Sequence, residues 1–386
     1  MESLIQPRVH NIQLSGIRQF VNEMAAFPKA VSLTLGQPDF DTPAHIKEAA
    51  KKAIDQNVTT YSPNPGYPHV REAAAEYVNK KYNLHYSQDE VIITVGASEA
   101  IDVSLRTILE SGDEVIIPAP VYPGYEPVIT LCGAKAVYAD TTTTGFKLTV
   151  HHLEELWSEK TKCVILPYPS NPTGAVLLKK ELEQLVQFLE NKKVFVLADE
   201  IYSELTYDAV HCSIASFKGM KEKTILINGL SKSHSMTGWR IGFLYAQSNI
   251  LKHILKVHQY NVTCANTIAQ EAAFEALTEG AMDAFPMKKE YDKRRNYVLS
   301  RLQNMGIEAQ VPGGAFYIFA NIKPFGMSSL AFCRGLLQEQ EVAVIPGSAF
   351  GEEGEGYIRL SFAAHMDLLN IAMDRLQQFI DKITVS

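Results

Sequence analysis

The chain has 386 residues, 46% of them hydrophobic and 20% charged, with a net charge of −7. That length exceeds one ordinary core, so two domains are expected. The acidic balance, with a pI of about 5.9, argues against a nucleic-acid-binding surface. No apolar run approaches the roughly 18 residues of a membrane span. Met1 to Phe20 mixes polar and apolar residues without a signal-peptide core, so a cytoplasmic protein is expected. The cysteines (Cys132, Cys163, Cys212, Cys264 and Cys333) are scattered, odd in number and without a C-x-x-C pair. Neither a disulfide framework nor a metal site is expected, and a reducing compartment fits.

Two early loops come first. Leu33-Thr34-Leu35-Gly36-Gln37-Pro38-Asp39 holds a glycine, Gly36, that could bring backbone close to a ligand. Thr60-Tyr61-Ser62-Pro63-Asn64-Pro65-Gly66 stiffens Tyr61 with prolines. Neither is interpretable alone.

From residue 91 onward, short β-branched runs alternate with helix-length amphipathic stretches. Strands are expected at 91–95, 114–117, 136–139, 163–166, 194–197, 224–228 and 241–244, with helices such as 98–110 and 179–191 between them. This alternation argues for a mostly parallel sheet covered on both faces. After about residue 245 the pattern changes. Helical stretches at 250–279 and 281–304 precede strands at 316–320, 342–345 and 357–361. The expected division is a large domain over 46–284 and a smaller α+β domain made of 1–45 with 285–386. Thr141 to Thr144 reads as a short polar loop.

Chemistry-bearing residues follow the strands, where open α/β sheets place ligands. Gly96-Ala97-Ser98 opens a helix after the first strand, so its N–H groups and the helix dipole suit an anion. It is neither a Walker loop nor G-x-G-x-x-G. Tyr122, in Pro118-Ala119-Pro120-Val121-Tyr122-Pro123, is either a stacking plate for a flat ring or a core aromatic. Asn171, in Pro169-Ser170-Asn171-Pro172-Thr173-Gly174, is either a turn residue or an amide facing a ligand oxygen. Asp199, in Asp199-Glu200-Ile201-Tyr202, is either a helix cap or the partner of a protonated ring nitrogen. Tyr202 could donate to a phenolic oxygen of that ring. Lys232, in Gly229-Leu230-Ser231-Lys232, brings an amine to a strand end. With Ser231 and Arg240 it suits a phosphorylated aldehyde. Arg359, in Tyr357-Ile358-Arg359-Leu360-Ser361, lies among apolar neighbours and needs a partner: a substrate carboxylate or an internal ion pair. Each signal is weak singly. Together they place a lysine, a carboxylate, an anion cup and an aromatic plate at successive strand ends.

As an ordered set, Leu35-Gly36-Gln37-Pro38-Asp39, Tyr168-Pro169-Ser170-Asn171-Pro172-Thr173-Gly174, Ala198-Asp199-Glu200-Ile201-Tyr202, Gly229-Leu230-Ser231-Lys232, Gly238-Trp239-Arg240-Ile241-Gly242 and Tyr357-Ile358-Arg359-Leu360-Ser361 resemble the class I aminotransferases. These are pyridoxal-phosphate enzymes of fold type I. The likeness runs from about Ser15 to Arg375.

The resemblance implies a seven-stranded, mostly parallel sheet in the large domain and a pyridoxal 5'-phosphate cofactor. By match, Lys232 is the Schiff-base lysine that shuttles the proton and Asp199 the pyridinium partner. Asn171 and Tyr202 face the phenolic oxygen, and Tyr122 stacks. Ala97, Ser98, Ser231 and Arg240 hold the phosphate. Arg359 clamps the α-carboxylate and Gly36 gives a backbone contact to the substrate. Tyr61 matches a tyrosine that reaches the neighbouring subunit's phosphate, which implies a homodimer with shared active sites. The substrates implied are an amino acid and a 2-oxo acid.

The stretches 122–127 and 230–241 look like the N-acetyl-L,L-diaminopimelate aminotransferase branch, which serves lysine and diaminopimelate biosynthesis. Aromatic or broad-specificity aminotransferases share most of them, and a C–S β-lyase would use the same lysine, aspartate and arginine. A regulator with an N-terminal DNA-binding domain is not expected, because the likeness begins by Ser15.

Overall fold

The computed structural model describes residues 1–385. Its strands, in chain order, are β1 (Val31–Ser32), β2 (Val91–Thr94), β3 (Glu114–Ala119), β4 (Lys135–Asp140), β5 (Thr161–Leu166), β6 (Phe195–Asp199), β7 (Thr224–Gly229), β8 (Gly242–Tyr245), β9 (Tyr317–Asn321), β10 (Val342–Ala343), β11 (Ile345–Pro346) and β12 (Tyr357–Ser361). Seven of them form one sheet in the order β2-β8-β7-β6-β5-β3-β4. Every neighbour pair is parallel except those made by β8, which runs against both β7 and β2. The expected α/β architecture with a seven-stranded, mostly parallel sheet is therefore present.

The sheet forms because its strands are apolar on both faces, and side chains alternate between faces with period two. Ile92, Val115, Ile117, Cys163, Ile165, Leu197, Ile225, Ile227 and Leu244 join one buried cluster. Helices Gly96–Ile108 and Ser248–Asn261 cover it through Ala100, Ile101, Leu105, Leu251 and Ile254. The intervening residues, among them Ile116, Val164, Val196, Leu226 and Phe243, belong to the cluster on the opposite face. There helix Lys179–Leu189 contributes Leu182, Leu185, Val186 and Leu189.

A second, antiparallel sheet has the order β11-β12-β9, and β1 pairs in parallel with β10. Leu33 ties these layers together: its N–H donates to Ala343 O and its carbonyl accepts from Ser361 N, each at 2.9 Å. Thr34 to Gly36 are thereby laid beside β12, which carries Arg359.

Four expected elements differ in detail. The run 342–345 is two strands, because Val342–Ala343 pairs with β1 whereas Ile345 pairs with Arg359 of β12. The stretch 250–279 breaks into Ser248–Asn261 and Thr267–Leu277. Thr263 takes a left-handed φ of 67°, and the Asn266 side chain accepts from Ala269 N, starting a new helix. The stretch 281–304 becomes helical only at Ala284; Pro286 then falls in the first turn, where a missing N–H costs nothing. Thr142–Thr144 closes into a short 3-10 turn rather than an open loop. No helix among the described residues is long and apolar enough to cross a membrane.

Candidate active site

The C-terminal edge of the parallel strands borders a cavity of about 1330 Å³. Gly36, Ala97, Ser98, Tyr122, Asn171, Asp199, Tyr202, Ser231, Lys232, Arg240 and Arg359 all line it. Eleven of the twelve residues singled out in the sequence thus converge. Tyr61 is the exception: it lies outside the cavity and is 84% exposed.

Asp199 ends β6 and is buried at the cavity floor. Its Oδ2 accepts from the Tyr125 hydroxyl at 2.7 Å and its Oδ1 from Ile201 N at 3.2 Å. Oδ1 thus serves a local turn rather than a helix cap, since the next helical turn has Tyr202 at its N-cap, and the carboxylate lines the cavity. Burial pushes its carboxyl pKa up, against the pull of Tyr125 and the Ile201 N–H.

Lys232 follows β7 and reaches across to donate to Gly36 O at 2.6 Å. Its pKa is pushed down to about 8, first by burial and then by the guanidinium groups of Arg359 and Arg240; Asp199 acts the other way. The amine lies 5.8 Å from the centre of the Tyr202 ring.

Arg359 is buried on β12. It donates to Asn171 Oδ1 at 3.0 Å and to Thr34 O at 2.6 Å. Its plane packs over the rings of Tyr317 and Phe350, at 4.4 and 5.0 Å. Its Nε–H is buried without a partner. Among the described residues no carboxylate pairs with it, so the internal ion pair entertained for it is not found there.

The anion cup is built by close approach. Helix Gly96–Ile108 has Val95 at its N-cap and no side chain capping it, so its first N–H groups are left for an outside acceptor. Gly96 has φ +73°, and a Cβ there would sit 2.7 Å from Arg240 Nη2. Gly242, opening β8, would drive a Cβ to 2.7 Å from the Gly96 carbonyl carbon and 2.9 Å from Ala97 N. Both glycines are needed for helix, strand and guanidinium to meet.

Tyr122 stands beside Asp199 and the cup. Burial, then Asp199, raises its pKa, while Ser98, Arg18 and Arg240 pull it back. Tyr122 meets Tyr125 edge-on at 5.6 Å.

Sequence reasoning missed Tyr125 and Tyr317. Tyr125 lies three positions beyond Tyr122, close enough for that loop to have pointed to it. Tyr317, whose hydroxyl is 2.8 Å from that of Tyr202, reads locally as one more apolar strand residue. Its register opposite Ser361 on β12 is what brings it to the site.

A family model described as aminotransferase class I and II matches residues 28–376. The chain belongs to the class I and II aminotransferases. It is 57% identical over 383 residues to the probable N-acetyl-LL-diaminopimelate aminotransferase of Bacillus subtilis, covering 99% of this chain and 97% of that protein. An aspartate aminotransferase of Pyrococcus abyssi is 44% identical, with 97% of each chain covered. The solved aromatic aminotransferase of Pyrococcus horikoshii superposes with a TM-score of 0.90 at 42% identity, over 95% of this chain and 100% of that one.

Class I and II aminotransferases generally depend on pyridoxal phosphate, and the residues of this aminotransferase fit that group. Lys232, Arg240 and Arg359 line one cavity, three cationic groups suited to a phosphate and a carboxylate. The buried Asp199 carboxylate has only neutral hydrogen-bond donors, and a protonated ring nitrogen would relieve its burial. The orphaned Arg359 Nε–H awaits an acceptor.

Proposed function

We propose that this aminotransferase is a cytoplasmic, pyridoxal-phosphate-dependent homodimer that exchanges an amino group between N-acetyl-L,L-diaminopimelate and 2-oxoglutarate. The observation that carries the cofactor assignment is the arrangement around Lys232. Its amine shares one cavity with the Asp199 carboxylate and the Arg240 and Arg359 guanidinium groups. The donor assignment is supported by the 57% identity to the Bacillus subtilis protein of that probable activity. A cavity of about 1330 Å³ is larger than the usual ~300–1,000 Å³, leaving room beyond a cofactor for a long donor. Arg18 lines the same cavity from helix Gly16–Met24 and suits the second carboxylate of such a substrate.

When bound, the cofactor supplies an electron sink that makes the substrate Cα–H acidic. Everything else is done by the chain. Ser231, Arg240 and the N–H groups of Ala97 and Ser98 hold the phosphate. Tyr122 would stack on the ring, and Asn171 and Tyr202 would hydrogen-bond its phenolic oxygen. Asp199 would hold a proton on the ring nitrogen. Lys232 anchors the aldehyde. When free, its amine would accept the proton that leaves the substrate Cα and would give it back as a general acid. In the cofactor-free protein a pKa of about 8 leaves roughly a tenth of that amine neutral at pH 7. Arg359 would grip the α-carboxylate, and Gly36 would give a backbone contact to the substrate. Tyr61, exposed on its loop, reaches the phosphate in the neighbouring subunit.

The test is an absorbance spectrum of the purified protein before and after N-acetyl-L,L-diaminopimelate. A cofactor band that shifts to the aminated form with this donor is the expected result. A band converted by glutamate or an aromatic amino acid but not by this donor would keep the transaminase and remove the lysine-pathway substrate. Pyruvate and ammonia from cystathionine without an oxo acceptor would mark a β-lyase instead. No band after adding pyridoxal phosphate would overturn the reading.

A further inference from the structure

Directly behind the anion cup lies a buried ion-pair network that the steps above do not use. Glu99, in the first turns of helix Gly96–Ile108, and His258, on helix Ser248–Asn261, are 7% and 0% exposed. Glu99 Oε2 accepts from Val95 N at 2.5 Å, and Glu99 Oε1 lies 2.8 Å from His258 Nδ1. His258 Nε2 lies 2.8 Å from Asn64 O.

That carbonyl can only accept, so Nε2 carries a proton. The Nδ1–Oε1 contact then needs a proton of its own, on one atom or the other. The pair is therefore net neutral, as carboxylate with imidazolium or as carboxylic acid with imidazole. Asn64 belongs to the loop that carries Tyr61. The same loop is fixed to β2 by Ile93 N donating to Pro65 O at 2.9 Å. Asn64 Nδ2 also donates to Thr263 O at 2.9 Å. One chain of hydrogen bonds thus runs from the residue before the cup, through Glu99 and His258, to the Tyr61 loop.

We infer that Glu99 and His258 are positioning residues for the cofactor phosphate: they fix the cup and the Tyr61 loop in one register and keep net charge away from the anion. This rests on the cofactor reading above. Neither residue touches the ligand, so their effect must appear in affinity for the phosphate itself.

The test compares binding of pyridoxal phosphate and of pyridoxal, which lacks the phosphate, to the cofactor-stripped full-length protein. Glu99→Ala and His258→Ala are expected to weaken pyridoxal phosphate about tenfold or more. Pyridoxal affinity should stay within about twofold. Glu99→Gln can accept from Val95 N, donate to His258 Nδ1 and leave Nε2–H on Asn64 O, so it is expected to restore tight binding. If an alanine variant does not fold, Glu99→Asp, too short to reach both partners, must show the same selective loss. Equal weakening of both ligands, or a lowered melting temperature with unchanged pyridoxal phosphate affinity, would assign the pair a merely structural role. Glu99→Gln falling as far as Glu99→Ala would also overturn the positioning account. Failure of the parent protein to bind pyridoxal phosphate would instead remove the cofactor reading.

Discussion

Replacing Arg359 with methionine tests the substrate assignment most sharply. Arg359 has five N–H donors. Two are used internally, on Asn171 Oδ1 at 3.0 Å and Thr34 O at 2.6 Å. Three remain, including the orphaned Nε–H, enough to bind a carboxylate through two parallel bonds. Each charge-assisted bond contributes about 1.5–3 kcal/mol. Losing two should lower kcat/KM by about 10²- to 10⁴-fold. Arg359→Lys keeps the charge but not the fork, and should lose about 10- to 100-fold. The assay is the steady-state rate with the amino donor, alongside the cofactor spectrum and the rate with the matching amine that lacks the α-carboxylate. The parent should discriminate strongly between donor and amine, and the methionine variant much less. A methionine variant with an intact cofactor spectrum and kcat/KM within about threefold of the parent would refute the carboxylate clamp.

Lys232→Ala should abolish turnover and the parent's cofactor absorbance, checked by spectrum and rate. In the cofactor-free protein, acylation of Lys232 should rise with pH and level off above about 8, whereas an ordinary lysine goes on rising to about 10.4. Because burial first, and then the two guanidinium groups, hold that value down, Arg240→Gln should move the midpoint part of the way upward; an unchanged midpoint would contradict the electrostatic account. Asp199→Asn keeps a partner for Tyr125 but cannot hold a cationic ring nitrogen, so kcat should fall by at least about 10- to 100-fold in single-turnover measurements. Gly242→Ala should weaken cofactor affinity and cost about 1–3 kcal/mol of stability, read from denaturant unfolding.

The sheet was legible because its strands are uninterrupted apolar runs, most of them followed by residues that reach the site. Lys232, Asp199 and Ser98 could be placed from their own neighbours in the chain. The split of 342–345 could not, since Val342 and Ile345 look alike and only their distant partners, Val31 and Arg359, separate them. Tyr317 was hidden for the same reason. The helix break before Thr267 did have a local sign in Asn266, but a cap inside a long periodic stretch competes with the periodicity itself. Glu99 and His258 come together only after folding, and each alone reads as an ordinary helix residue.

The reversed strand β8 has a geometric consequence. In a wholly parallel sheet, only residues that follow a strand arrive at the ligand edge. Because β8 runs backward, with Gly229 opposite Gly242, residues that precede it arrive there as well. Lys232 leaves β7 and Arg240 enters β8 within one short excursion of chain. The span between the amine and the guanidinium is therefore ruled by the length of a single hairpin connection. Adding or deleting one residue between them would misplace one group relative to the other, whatever residue was chosen. That connection works as a gauge.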